Sequence, residues 1–157
     1  MTSFLYLTGG MLLAVCGAGA GYGLALTQRR RWQTSRAFGR LLEYIGTAIQ
    51  YQNMTGAELF ARASQYPEFD CLKLGTVLRF GELVPPSVFS DGIRGELAAD
   101  LCALESASRE TACNLLNRMV AICGTQETSL HRTADTALHL YPRLGGCAGM
   151  LAAILLL

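Results

Sequence analysis

The chain has 157 residues, of which 51% are hydrophobic and 16% charged, and its formal net charge is +1. This length leaves room for one domain of ordinary size plus a membrane segment, and the low charged fraction is explained by apolar ends. Because the charge is near zero and the arginines are spread along the chain, nucleic-acid binding is not expected.

The first element is an uncharged stretch from Phe4 to Leu26. As a helix it would rise roughly 35 Å, enough for a hydrocarbon core of about 30 Å, so it predicts a transmembrane helix. Basic residues behind it predict that the chain enters the cytoplasm there; they are Arg29, Arg30 and Arg31. A cleaved signal peptide, with a mature N-terminus near Thr27, is the competing interpretation, but no basic residue precedes the apolar run.

Glycines spaced four apart occur in both apolar ends, where they favour close helix packing in lipid. In the first end they are Gly17 and Gly21, and in the last they are Gly145 and Gly149. The ordinary frequency of glycine in membrane helices is the alternative explanation.

Between the ends the apolar residues recur at helical spacing. The pattern predicts a helix over 35–51 that continues from the first one with little break, and a short helix over 56–64 that begins at a Thr55–Glu58 capping box. A further helix is expected to begin at Pro67 and to end at Pro85.

The next segment, 87–94, is weakened as a helix by glycine, and 96–123 is predicted as one helix or two, with Ser106 or Ser108 capping a second half. Gly124 is the expected C-cap, and Thr125 opens the last helix. The polar turn between these helices contains Gln126 and Glu127, which are candidate partner contacts, although a plain connection is the commoner role of such a turn.

The final stretch, 144–157, is apolar but would rise only about 21 Å as a helix. Its terminal position and the flanking Arg143 favour a second, short membrane helix, and a core helix is the alternative. We therefore predict an all-α fold, an antiparallel helical bundle flanked by two transmembrane helices. The predicted domains are 1–28 in the membrane, 29–142 in the cytosol and 143–157 in the membrane.

The most enzyme-like set of residues is His131, Asp135 and His139, which share one helix face. Histidine and aspartate can hold a divalent metal, but ligands spread over about 12 Å converge poorly on one ion. A small membrane-anchored metal-dependent enzyme or metal sensor is thus the alternative to a non-catalytic role. No P-loop is present, and the six cysteines follow the usage of small buried hydrophobes. No cofactor or metal is expected.

Several stretches together resemble the stage III sporulation protein AB family. They are the segment 40–45 with Gln50-Tyr51, the turn at 55–60, the stretch 119–126, and Arg143-Leu144-Gly145-Gly146 before the apolar end. The resemblance runs in order over nearly the whole chain and has no catalytic signature.

The resemblance implies a membrane protein of the mother cell that belongs to the channel complex between mother cell and forespore. It implies a cytosolic domain similar to that of type II secretion platform proteins (the F component), and partners that include a secretion-type ATPase and other membrane proteins of the complex. We therefore expect a non-catalytic scaffold whose bundle faces the cytoplasm; a homo-oligomer is left open.

Overall fold

The computed structural model describes residues 2–51 and 54–156, and the predicted all-α class is confirmed, since no strand occurs in that part of the chain. The α-helices are α1 (Thr2–Tyr51), α2 (Gly56–Ala63), α3 (Asp91–Leu104) and α4 (Arg109–Leu156). Three short 3₁₀ helices lie between α2 and α3, at Pro67–Leu72, Leu74–Thr76 and Phe80–Glu82.

The chain divides into two compact units. The terminal unit consists of Met1–Arg31 and Leu130–Leu157, so it is built from the start of α1 and the end of α4. The central unit, Trp32–Ser129, contains the rest of both long helices and every shorter element.

A hydrophobic core fills the central unit, and each of its α-helices contributes buried residues. Phe38 of α1 is fully buried, and its ring centroid lies 5.7 Å from that of Phe89. The apolar stripe predicted on α1 is this buried face, because residues three and four apart point to one side of a helix. Other fully buried residues of the core include Leu41, Leu42 and Ile45 of α1 and Leu97 and Leu101 of α3.

Two local predictions are confirmed. The helix over 35–51 continues from the first one without a break, as α1. The capping box opens α2, where the Glu58 carboxylate accepts a hydrogen bond of 3.2 Å from the backbone N–H of Thr55. Of the alternatives left open for 96–123, the structure has two helices with Ser108 before the second, and the Ser108 Oγ accepts a hydrogen bond of 3.3 Å from the Thr111 amide.

The prediction of one helix that begins at Pro67 and ends at Pro85 is wrong beyond its first turns, because three short 3₁₀ helices occupy this segment. Lys73 ends the first of them in the left-handed region, with φ 50°. The apolar residues that suggested a helix are spaced irregularly, and they follow no single 3.6-residue stripe. The weak segment 87–94 is also misjudged, since α3 begins inside it at Asp91.

The predicted helix end at Gly124 is wrong, because α4 runs through it without interruption. The hydroxyls of Thr125 and Thr128 donate to the carbonyls four residues earlier, at 2.7 and 2.9 Å, as threonine does inside a helix. Pro142 also lies within α4, although a proline inside a helix removes a backbone donor and costs about 3 kcal/mol.

Within the part of the chain that the structure describes, no helix is long and apolar enough to pass through a bilayer. The transmembrane helices at 1–28 and 143–157, and the cytosolic assignment of 29–142, therefore stay predictions.

Replacement of Phe38 by alanine should destabilise the central unit by about 3–5 kcal/mol, because it opens a cavity in a closely packed core. Urea unfolding of the full chain measures the change. Val84, which is 73% exposed, provides the control, since Val84→Ala should shift stability by less than about 0.5 kcal/mol. Equal effects of the two substitutions would contradict the placement of the core.

Candidate interaction surfaces

In the terminal unit, α1 and α4 approach each other through glycines. A Cβ built on Gly145 would lie 2.9 Å from the Gly17 carbonyl carbon, and one built on Gly21 would lie 2.8 Å from the Tyr141 carbonyl carbon. Any side chain at either glycine would therefore collide with the backbone of the other helix. The two contacts run in opposite directions along the chain, so the helices are antiparallel. Gly149, also predicted to pack, lies in α4, and its surroundings are not among the features that the structure describes.

Small side chains continue this contact toward the basic end of the unit. Ala25 of α1 and both Ala134 and Ala137 of α4 are buried. Since antiparallel helices advance at the same rise per residue, Ala25 and Ala137 lie at one level, four residues beyond the contact between Gly21 and Tyr141, and Ala134 lies about 4.5 Å farther along. The structure thus brings together three of the four predicted packing glycines, in contact between two helices of the same chain.

The terminal unit also exposes apolar residues. An open groove of about 420 Å³ follows the line where the two helices meet. It is lined by Gly17, Ala20, Gly21, Leu24, Tyr141, Leu144, Gly145 and Ala148. Ten large hydrophobic side chains of the described part of the unit, two of which line the groove, are 46–72% exposed. These are Met11, Leu12, Val15, Tyr22, Leu24, Leu140, Leu144, Met150, Leu151 and Ile154.

The predicted basic residues occupy two places. Arg29, Arg30 and Arg31 are exposed at the end of the α1 segment. Arg132, which the sequence did not single out, lies at the level of Arg30, because each is nine residues from the contact between Gly21 and Tyr141. Arg143 is exposed too, but it lies about 16 Å farther along α4.

Gln126 and Glu127 do not form a turn, because both lie inside α4 and are half-buried. The Glu127 carboxylate lies 3.6 Å from Nε of Arg36. The guanidinium of Arg36 in turn lies 5.5 Å from the ring centroid of Trp32. The prediction of a polar turn is therefore wrong, and the role of these residues in partner contact stays a prediction.

His131, Asp135 and His139 are all exposed on α4. Among the residues that the structure describes, no group of three histidine, cysteine or acidic side chains is placed to hold a metal ion. The alternative, a small metal-dependent enzyme or metal sensor, stays a prediction.

The central unit carries a groove of about 440 Å³ that the sequence did not indicate. Tyr44, Tyr66 and Phe69 line it, with ring centroids 6.0–6.4 Å apart. Arg40 donates a hydrogen bond of 2.9 Å to Glu68 at its edge. These residues come from α1, from the first 3₁₀ helix and from the residue before it, so no local spacing relates them.

The cysteines do not follow the expected burial. Cys16, Cys71, Cys102 and Cys147 are exposed, and Cys123 is buried in the core of the central unit. Burial, with a smaller contribution from the nearby carboxylate of Glu127, raises the pKa of the Cys123 thiol to about 12.

Comparison of the chain with protein-family models, with curated proteins and with solved structures gives no match. The resemblance to the stage III sporulation protein AB family therefore stays a prediction from the sequence.

Gly145→Ala should force the two helices of the terminal unit apart and destabilise it by about 1–3 kcal/mol, because the new Cβ meets backbone. Gly146→Ala is the matched control. A Cβ there has no neighbour within 4 Å, and alanine favours a helix by up to about 1 kcal/mol over glycine. Thermal melting of the full chain is followed by circular dichroism. The melting temperature should fall for Gly145→Ala and rise for Gly146→Ala. A higher melting temperature for both variants would contradict the close approach.

At pH 8 the thiol of Cys123 should resist alkylation by N-ethylmaleimide. It is 2% exposed, and with a pKa of about 12 only roughly one thiol in ten thousand is ionised at that pH. The exposed Cys102 should react first, and denaturation should release Cys123. Mass spectrometry of peptides checks the order; equal labelling of both cysteines in the folded chain would contradict it.

Proposed function

We propose that this protein is a non-catalytic, membrane-associated scaffold. Its terminal unit contacts lipid and the helices of other membrane proteins, and its central unit lies in the cytoplasm and contacts partners there. The observation that carries the proposal is the apolar surface of the terminal unit.

The argument rests on where the exposed hydrophobic residues are. Of the fourteen large hydrophobic side chains that are exposed among the described residues, ten belong to the terminal unit. Apolar surface in contact with water costs about 25 cal/mol per Å² relative to burial. Proteins that stay monomeric in water rarely leave a large contiguous apolar patch uncovered. Lipid chains or other apolar helices would remove this cost.

The way in which the terminal unit is held together supports the same proposal. In lipid no hydrophobic force drives helices together, so close packing of small residues has to hold them. The contacts at Gly17 and Gly21 are of this kind, and they leave the larger apolar side chains on the outside. Proline within a helix is also more frequent in membrane segments than in helices exposed to water, and Pro142 lies in α4.

The resemblance seen in the sequence extends the proposal to a cellular setting. On that basis the protein is part of the channel complex of sporulating bacteria, in the mother-cell membrane around the forespore. The terminal segments would cross the membrane, and the central unit would be similar to the cytoplasmic domain of type II secretion platform proteins. It would dock a secretion-type ATPase beside the other membrane proteins of the complex and act through contact.

The full chain, expressed in cells and recovered with their membranes, should resist extraction by alkaline carbonate. Leu24→Glu combined with Leu144→Glu should increase the extracted fraction, because a carboxylate in the apolar layer costs about 2.5–3.5 kcal/mol. The matched control is Leu78→Glu with Val84→Glu, which changes two residues of the central unit that are 63% and 73% exposed. The control should stay in the membrane like the wild type. The proposal would be contradicted if the wild-type protein did not float with vesicles in a density gradient and if a salt wash released it from membranes.

A further inference from the structure

The whole chain is close to neutral, but its two units carry formal charges of opposite sign. The terminal unit contains five arginines and one acidic residue, Asp135, which gives a formal charge of +4. The central unit contains eight arginine or lysine residues and eleven acidic ones, which gives −3. The unit with the apolar surface is therefore also the cationic unit.

Four of the five arginines lie at one end of the terminal unit. Three are consecutive on α1, and the fourth, Arg132, comes from α4 at the same level as Arg30. The buried alanines Ala25 and Ala134 show that the helices still pack against each other near this level. All four arginine side chains are exposed. We call Arg29, Arg30, Arg31 and Arg132 the arginine cluster.

The cluster begins a short distance beyond the apolar surface. Leu24, which is 63% exposed, precedes Arg29 by five residues, or about 7 Å along the helix. The headgroup layer on each side of a bilayer begins at the edge of the hydrocarbon and is about 5–8 Å thick. With Leu24 in contact with acyl chains, the guanidinium groups reach the level of the lipid phosphates.

We infer that the arginine cluster binds the phosphate headgroups of anionic phospholipids in preference to zwitterionic ones; this rests on the proposed membrane association. A guanidinium presents paired N–H donors that match two phosphate oxygens. Near an anionic leaflet each basic residue also gains from the negative surface potential, which a zwitterionic lipid does not supply. Within the terminal unit the five arginines outnumber the one carboxylate, that of Asp135.

Trp32 gives a direct readout, because it is the only tryptophan of the chain and follows Arg31. The full chain is reconstituted into vesicles of phosphatidylcholine and phosphatidylglycerol at equal mole fraction, with a nitroxide spin label on the acyl-chain carbons nearest the headgroup of one lipid or the other. This quencher is chosen because Trp32 lies eight residues, or about 12 Å, beyond Leu24. Spin-labelled phosphatidylglycerol should quench Trp32 more strongly, with an enrichment of about fivefold for each arginine in contact. High salt should reduce the difference, because exposed charges are screened.

Two variants that lose the same number of positive charges distinguish an effect of the arginine cluster from an effect of the net charge of the chain. Arg29→Gln, Arg30→Gln and Arg31→Gln together should bring the quenching by the two lipids close to equality. Arg62→Gln, Lys73→Gln and Arg79→Gln change three exposed cations of the central unit and should leave the difference as in the wild type. Far-UV circular dichroism verifies that both variants keep their helices.

The outcomes are distinguishable. Equal quenching by both lipids in the wild type, or a preference that survives in the variant of the arginine cluster, overturns the inference and leaves membrane association standing. Absence of quenching by either lipid overturns both the inference and the proposed function. Loss of the preference in the central-unit control as well would assign it to net charge and would also overturn the inference.

Discussion

The close approach of α1 and α4 in the terminal unit is the constraint on which its other features depend. At Gly17 and Gly145, and again at Gly21 and Tyr141, one helix backbone lies directly against the other. With no side chain between the helices at these points, the large apolar residues have no place in the contact and are left on the outside. The apolar surface is thus a consequence of glycine packing, and a pair with leucines in the seam would bury part of what this one exposes.

The same two helices pack differently in the central unit. A Cβ on Gly39 would lie 3.5 Å from the Cβ of Cys123, and one on Gly46 would lie 3.9 Å from Leu116. These are ordinary van der Waals distances, so neither glycine is needed there for a close approach. Large side chains such as Phe38 and Met119, both fully buried, carry the packing instead. Burial of apolar area stabilises the central unit, whereas shape complementarity of small residues holds the terminal unit.

Features that depend on neighbouring residues could be predicted from the sequence. The stripe on α1, the capping box of α2 and the role of Ser108 each follow from residues within two turns of one another, and each is present. The failures occur where a local signal was overridden. Gly124 resembles a helix end, but hydroxyls at 125 and 128 bond back into the helix and α4 continues. Residues far apart in the sequence gave no signal of their proximity. The common level of Arg30 and Arg132 and the aromatic groove around Tyr44 were therefore not predicted.

Charge acts differently in the two units. In the central unit Arg36, Arg40 and Arg118 each lie beside a glutamate, but the side chains of these pairs are between 36% and 55% exposed. Exposed pairs of this kind contribute roughly 0–1 kcal/mol each, so they add little to the stability of the fold. In the terminal unit the arginines outnumber acidic residues five to one. Four of them lie within about two turns of exposed apolar residues, so the proposed lipid partner would meet both features together, because an anionic membrane surface offers negative charge beside a hydrocarbon layer.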